Sequence, residues 1–142
     1  MDPSHVLVPL DGSPLSEAAL AHALSVFDCP ITVLNVVTPI DASMSESGVI
    51  ERDDREAEAR EYADEVIDEA QQRATEYDQP IETVVEEGDP AETIVDYADE
   101  HDVDQVVMGG YGGDASDLTQ RLLGTVATAV VREAPVTVTV VR

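Results

Sequence analysis

The sequence predicts an α/β fold, a five-stranded parallel sheet with helices on both faces in a Rossmann-like three-layer sandwich. Three observations carry this. Short runs rich in β-branched residues recur five times, and amphipathic segments with helical spacing stand between them. Parallel neighbours need a crossover, which those helices supply. At 142 residues the chain has the size of one domain with a core to bury, so residues 1–142 are expected to fold as a single unit.

The first strand reads His5-Val6-Leu7-Val8-Pro9-Leu10. Asp11-Gly12-Ser13-Pro14 follows, where Ser13 can cap a helix and Pro14 suits its first turn. Leu15, Ala18, Ala19, Ala23 and Phe27 keep helical spacing until Cys29-Pro30 breaks it, and Ile31 to Val37 reads as a buried second strand ending near Thr38-Pro39. Ile40 to Ile50 is small and polar, which predicts a loop longer than usual for a compact domain. Ala59, Ala63, Val66, Ile67, Ala70, Ala74 and Tyr77 then mark one face of a long helix. A solvated charged face accounts for the carboxylates on its other sides better than metal clustering does.

Ile81 to Val85 alternates as a third strand, and Gly88-Asp89-Pro90 turns the chain into a helix carrying Ile94, Val95 and Ala98. Asp102 to Met108 is the fourth strand. Glycines at 109, 110, 112 and 113 follow, then the polar Asp114-Ala115-Ser116-Asp117, then a helix with Leu118, Leu122, Leu123, Val126, Ala127, Val130 and Val131 on one side. Pro135 ends that helix, and Val136 to Val141 closes the chain as a fifth strand with almost no charge. An uncovered edge of that kind invites pairing with a second copy.

Composition narrows the function classes. Asp and Glu number 31 against 7 basic residues, all Arg, for a formal net charge of -24. Such a surface repels phosphate backbones and anionic lipid, so neither nucleic acid nor membrane is an expected partner. Periodic apolar residues argue against disorder, and the acidity points to a salt-rich cytoplasm of the kind a halophilic archaeon keeps. The longest apolar runs are strand-sized, and Met1-Asp2-Pro3-Ser4-His5 has no signal-peptide character. With the single Cys29 fitting a reducing compartment, a cytoplasmic location is expected.

In parallel sheets, ligands sit beyond the carboxyl ends of strands, at the switch point of the winding. Asp11 to Ser13, Val36 to Ile40, Gly88 to Pro90 and Gly109 to Asp117 are therefore the segments to search. Gly109-Gly110-Tyr111-Gly112-Gly113 could curl amides around phosphate oxygens or serve architecture alone. Gly124-Thr125 could bring a hydroxyl to a phosphate, or Gly124 could permit tight helix packing. Asp11 could accept from ribose hydroxyls or cap the next helix, and Val36 or a neighbour could offer backbone groups to an adenine edge. Catalysis is not expected: His5, His22 and His101 are far apart, Cys29 has no nearby base, and no phosphate-loop lysine follows the glycines.

The ordered set Val8-Pro9-Leu10-Asp11-Gly12-Ser13, Asn35-Val36-Val37, Val85-Glu86-Glu87-Gly88-Asp89-Pro90, the glycine loop through Leu122-Leu123-Gly124-Thr125-Val126-Ala127, and Ala134-Pro135-Val136 resembles the universal stress proteins over essentially the whole chain. The resemblance implies an adenine nucleotide alpha-hydrolase-like fold and, as in ATP-binding members, a site for ATP or AMP. Its pattern is a glycine, two residues, a glycine, nine residues, a glycine and a serine or threonine. Gly109, Gly112, Gly124 and Thr125 look like the matching positions, with Asp11 resembling the ribose partner, Pro9 beside it, and Val36 the adenine-contacting strand end. Here eleven residues separate Gly112 from Gly124, the extra two falling within Gly113 to Gln120. No Lys or Arg lies between Gly109 and Gln120, so Mg2+ bridging phosphates and carboxylate would assist a triphosphate. A homodimer through Val136 to Val141 is also implied.

Overall fold

A computed structural model describes residues 3–38, 49–110 and 123–142, with the backbone alone for 49–56. Five strands, β1 (Val6–Pro9), β2 (Ile31–Val37), β3 (Ile81–Glu87), β4 (Gln105–Gly109) and β5 (Thr137–Val141), alternate with four helices: α1 (Pro14–Val26), α2 (Val49–Glu76), α3 (Pro90–Glu100) and α4 (Thr125–Glu133). All strands are parallel in the order β3-β2-β1-β4-β5, which is the predicted fold class.

Alternation along β1 divides the core. Val6 and Val8 pack with Leu20 and Ala23 of α1 and Val66 and Ala70 of α2, whereas Leu7 joins Ile94 and Ala98 of α3 and Ala127 and Val130 of α4 on the other face. The chain therefore winds in two directions from β1, and the carboxyl ends of β1 and β4 diverge toward opposite layers. That divergence is the switch point.

The predicted Ser13 cap forms, and the predicted turn at Gly88-Asp89-Pro90 proves to be a second cap. Ser13 Oγ accepts from the Ser16 amide and Asp89 Oδ2 from the Glu92 amide, each with proline at the next position. The boundaries differ elsewhere. Val49 and Ile50 begin α2 instead of ending a loop, because a charged stretch with no apolar period, Glu51 to Glu58, continues the helix ahead of its apolar face; the rest of the predicted loop, 40–48, lies outside the described residues. Ala18 is exposed, and Leu20 and Leu24 take its place on the packed face of α1. β3 continues through Glu86 and Glu87, which pair with Val36 and Val37. β4 starts three residues later than expected: Asp102 has φ 54° and ends α3 in a Schellman turn, with the Val103 amide donating to the Ala98 carbonyl. Leu123 and Gly124 precede α4 instead of lying in it, Val131 points to solvent, and Leu118 and Leu122 lie outside the described residues.

Candidate functional site

A cleft of about 470 Å³ opens at the carboxyl edge of the sheet, above the switch point. Pro9, Asp11, Val36, Gly109, Gly124 and Thr125 all line it, so six positions spread over the whole sequence meet in one place. Gly112 lies outside the described residues. Leu34, Ile94 and Met108 supply an apolar wall, and Asp11 is the one charged side chain among the described lining residues. None of His5, His22, His101 and Cys29 lines the cleft. Burial raises the Cys29 thiol, which disfavours the nucleophilic thiolate.

The segment leaving β1 is held on several sides. Asp11 Oδ1 accepts from the Ser13 amide at 2.9 Å, Asn35 Nδ2 donates to the Leu10 carbonyl at 2.8 Å, and the Tyr62 hydroxyl donates to the Asp11 carbonyl at 2.7 Å. Asn35 is buried in the apolar β2, and a side-chain amide there was a readable signal of such a bond. Tyr62 stands among exposed charged residues of α2, and nothing in the sequence singles it out.

At β2, the Leu34 carbonyl accepts from Leu10 on the β1 side and the Val37 carbonyl accepts from Gly88 on the β3 side. By the alternation of a strand, the peptide groups of Val36 face the β1 side, beyond the last pair of Pro9 with Leu34. They are therefore presented to the cleft for an in-plane donor and acceptor.

Across the cleft, Gly124 is the N-cap of α4 and offers no side-chain cap. The amides of Thr125, Val126 and Ala127 begin a helix without intrahelical partners, and all three residues line the cleft. A first turn in that state, with the positive end of the helix dipole behind it, favours an anion. Gly109 has a packing role as well, because a β-carbon there would approach the backbone of Leu15 at 2.7 Å. No group of three His, Cys, Asp or Glu side chains among the described residues is arranged to hold a metal.

This arrangement defines a Rossmann-like α/β protein with a cleft at its switch point, polar at one rim, apolar in the middle and anion-favouring at the other. The sequence model of the universal stress protein family matches residues 3–142, and the chain belongs to that family. No curated protein matches it. Among solved structures it is similar to the universal stress protein UspA from Lactobacillus plantarum, at 25% identity and TM-score 0.83, covering 100% of this chain and 99% of that one. It is also similar to a universal stress protein in complex with cAMP, at 24% identity and TM-score 0.74, covering 100% and 99%. A family member from Arabidopsis thaliana with AMP bound is 19% identical at TM-score 0.71, covering 98% and 91%. No helix among the described residues is long and apolar enough to cross a membrane.

Proposed function

We propose that this chain is a cytoplasmic stress-response module that binds ATP or AMP as a single domain over residues 1–142, changing shape or partner when loaded and hydrolysing the nucleotide slowly if at all. One observation carries the reading: a single cleft joins the strand-end peptide groups of Val36, the Asp11 carboxylate and the uncapped first turn of α4. Those are the three chemistries an adenine, a ribose and a phosphate require. The similar structures with cAMP and AMP bound support the class of ligand.

In this reading Val36 meets the adenine edge, with Pro9 beside it, and Asp11 accepts from ribose hydroxyls. Gly109, Gly112, Gly124 and the Thr125 hydroxyl take the phosphates. Mg2+ would offset the phosphate charge of a triphosphate in so acidic a chain. Labelled ATP and AMP titrated in molar potassium chloride, with and without Mg2+, test the reading. Gly112→Val should abolish binding and Thr125→Val should weaken it by roughly 1.5–3 kcal/mol, one hydrogen bond to a charged group. Absence of adenine-nucleotide binding to the wild type under both conditions overturns it.

The second reading is a homodimeric association module of the same fold that binds no nucleotide, its dimer formed through Val136 to Val141 and favoured by the position of β5 at the end of the sheet of described strands. Val138→Lys should shift the protein toward monomer in high-salt sedimentation. Wild-type monomers at micromolar concentration would overturn it.

A further inference from the structure

We infer that Tyr62 is a positioning residue for the Asp11 carboxylate, and through it for recognition of the sugar hydroxyls of a bound nucleotide. The inference rests on the adenine-nucleotide reading and extends it to a residue outside the cleft. Tyr62 belongs to α2, which packs in the helical layer opposite the apolar wall of the cleft, and it is not among the lining residues.

Where β1 stops pairing, the next two carbonyls, of Leu10 and Asp11, no longer have a strand to hold them. Side chains from two different elements do so instead: Asn35 Nδ2 from β2 on the Leu10 oxygen at 2.8 Å, and the Tyr62 hydroxyl from α2 on the Asp11 oxygen at 2.7 Å. Gly12 follows at φ 83°, pressed against the same phenol. A β-carbon at Gly12 would collide with the Tyr62 hydroxyl and stand 3.1 Å from Val66 Cγ2. The turn thus needs both the absence of a side chain at Gly12 and the presence of the tyrosine over it.

The carboxylate itself spends Oδ1 on the Ser13 amide at 2.9 Å, which fixes its rotamer and leaves Oδ2 to accept from a ligand. A sugar hydroxyl must come within about 3 Å of that oxygen, so freedom in the Asp11 backbone translates directly into a lost or bent hydrogen bond. Burial, then the charge of Asp11, raises the Tyr62 phenol, so it remains a donor throughout the neutral range.

Tyr62→Phe removes one oxygen from a side chain that is 51% exposed. ATP and 2′,3′-dideoxy-ATP are titrated into the intact wild type and variant in molar potassium chloride with Mg2+, with helical circular dichroism recorded alongside. The wild type should prefer ATP. Tyr62→Phe should weaken ATP by about three- to tenfold, the range of one neutral hydrogen bond, and leave the dideoxy analogue within about twofold. Tyr62→Met, which keeps an apolar cover and also lacks the hydroxyl, should behave alike. In an Asp11→Ala background, Tyr62→Phe should change neither affinity. Equal weakening of both nucleotides, or an undiminished preference for ATP, overturns the positioning role and leaves nucleotide binding intact. Equal wild-type affinity for both removes the sugar contact of Asp11 and the inference with it. A wild type that binds neither nucleotide overturns the reading of the cleft itself.

Discussion

The amide of Gly124 donates to the carbonyl oxygen of Gly110 at 2.6 Å, and the Gly110 amide donates to Val141 at 2.9 Å. These two bonds join the ends of the segment 111–122 and fasten them to the sheet. The placement of Gly109 and Gly124 is therefore held by their own bonds whatever the number of residues between them, and a change in chain length between two fixed points costs only a small closure entropy. Deleting two of Asp114 to Asp117, an aspartate among them, is expected to move the melting temperature by less than about 4 °C. It should also tighten ATP binding in a Mg2+ titration, by lowering the negative charge of a chain that must accept a polyanion. Loss of binding in a folded deletion variant would show that the longer loop builds the pocket itself.

Gly109 meets α1 so closely that a β-carbon would stand 2.7 Å from the Leu15 carbonyl carbon and 2.9 Å from the Ser16 amide. Both neighbours are helix backbone just behind a formed cap, so neither can move alone. Gly109→Ala should destabilise the fold by about 1–3 kcal/mol, the usual range for overpacking, read as a lower denaturant midpoint at unchanged slope. An unchanged midpoint would mean that α1 slides without cost. Variants of Gly109 thus report on folding before binding, while Thr125, exposed at the first turn of α4, reports on the ligand alone.

Strand ends of a parallel sheet share one edge by construction, which is why Asp11, Val36 and Gly109 could be placed together from sequence, whereas Pro9 came only with the family resemblance. Ser13-Pro14 and Asp89-Pro90 announced their helices through cap chemistry that is local and therefore readable. Helix ends were harder. Both α2 and α3 stop at an aspartate with φ 54°, Asp78 and Asp102, where a glycine would have signalled the turn. Without that signal, Asp102 reads as the start of β4. Tyr62 was out of reach for another reason: its bond to Asp11 spans 51 positions and depends on how α2 lies across the sheet, which no spacing encodes.

Asp104 joins the opposite edge of the sheet to the N-terminal segment. Its Oδ2 accepts from the Ser4 amide and hydroxyl, each at 2.7 Å, and Oδ1 accepts from the His5 amide at 3.3 Å. Burial pushes the carboxyl upward, but these bonds and the charge of His5 outweigh it and hold Asp104 below the ordinary value of 3.8. A depressed value in the folded state contributes stability in full above 3.8 and loses it as pH falls through the folded value. Asp104→Asn should therefore melt below the wild type at about pH 5–8 and converge with it below about pH 3. A difference that stays constant down to about pH 2 would assign the effect to packing instead.

Arg73 Nη2 lies 3.5 Å from Glu17 Oε2, yet Glu17 is raised above the usual carboxylate value. Burial is the first cause and a hydrogen bond with Glu69 the second, and together they outweigh the arginine. One cation among crowded carboxylates is the local form of a chain carrying a net charge of -24. Screening decides how far that repulsion reaches: the Debye length is about 10 Å at 0.1 M and about 3 Å at 1 M. Melting temperature should accordingly climb between about 0.1 and 2 M potassium chloride, and a flat profile would refute a salt-adapted fold. Glu69→Gln separates charge from general salting-out, because it removes one carboxylate from the cluster without altering its size. The variant should be more stable than the wild type at low salt, with the gain vanishing in molar salt. A gain that persists in molar salt would place its origin in packing, since a screened repulsion cannot survive there.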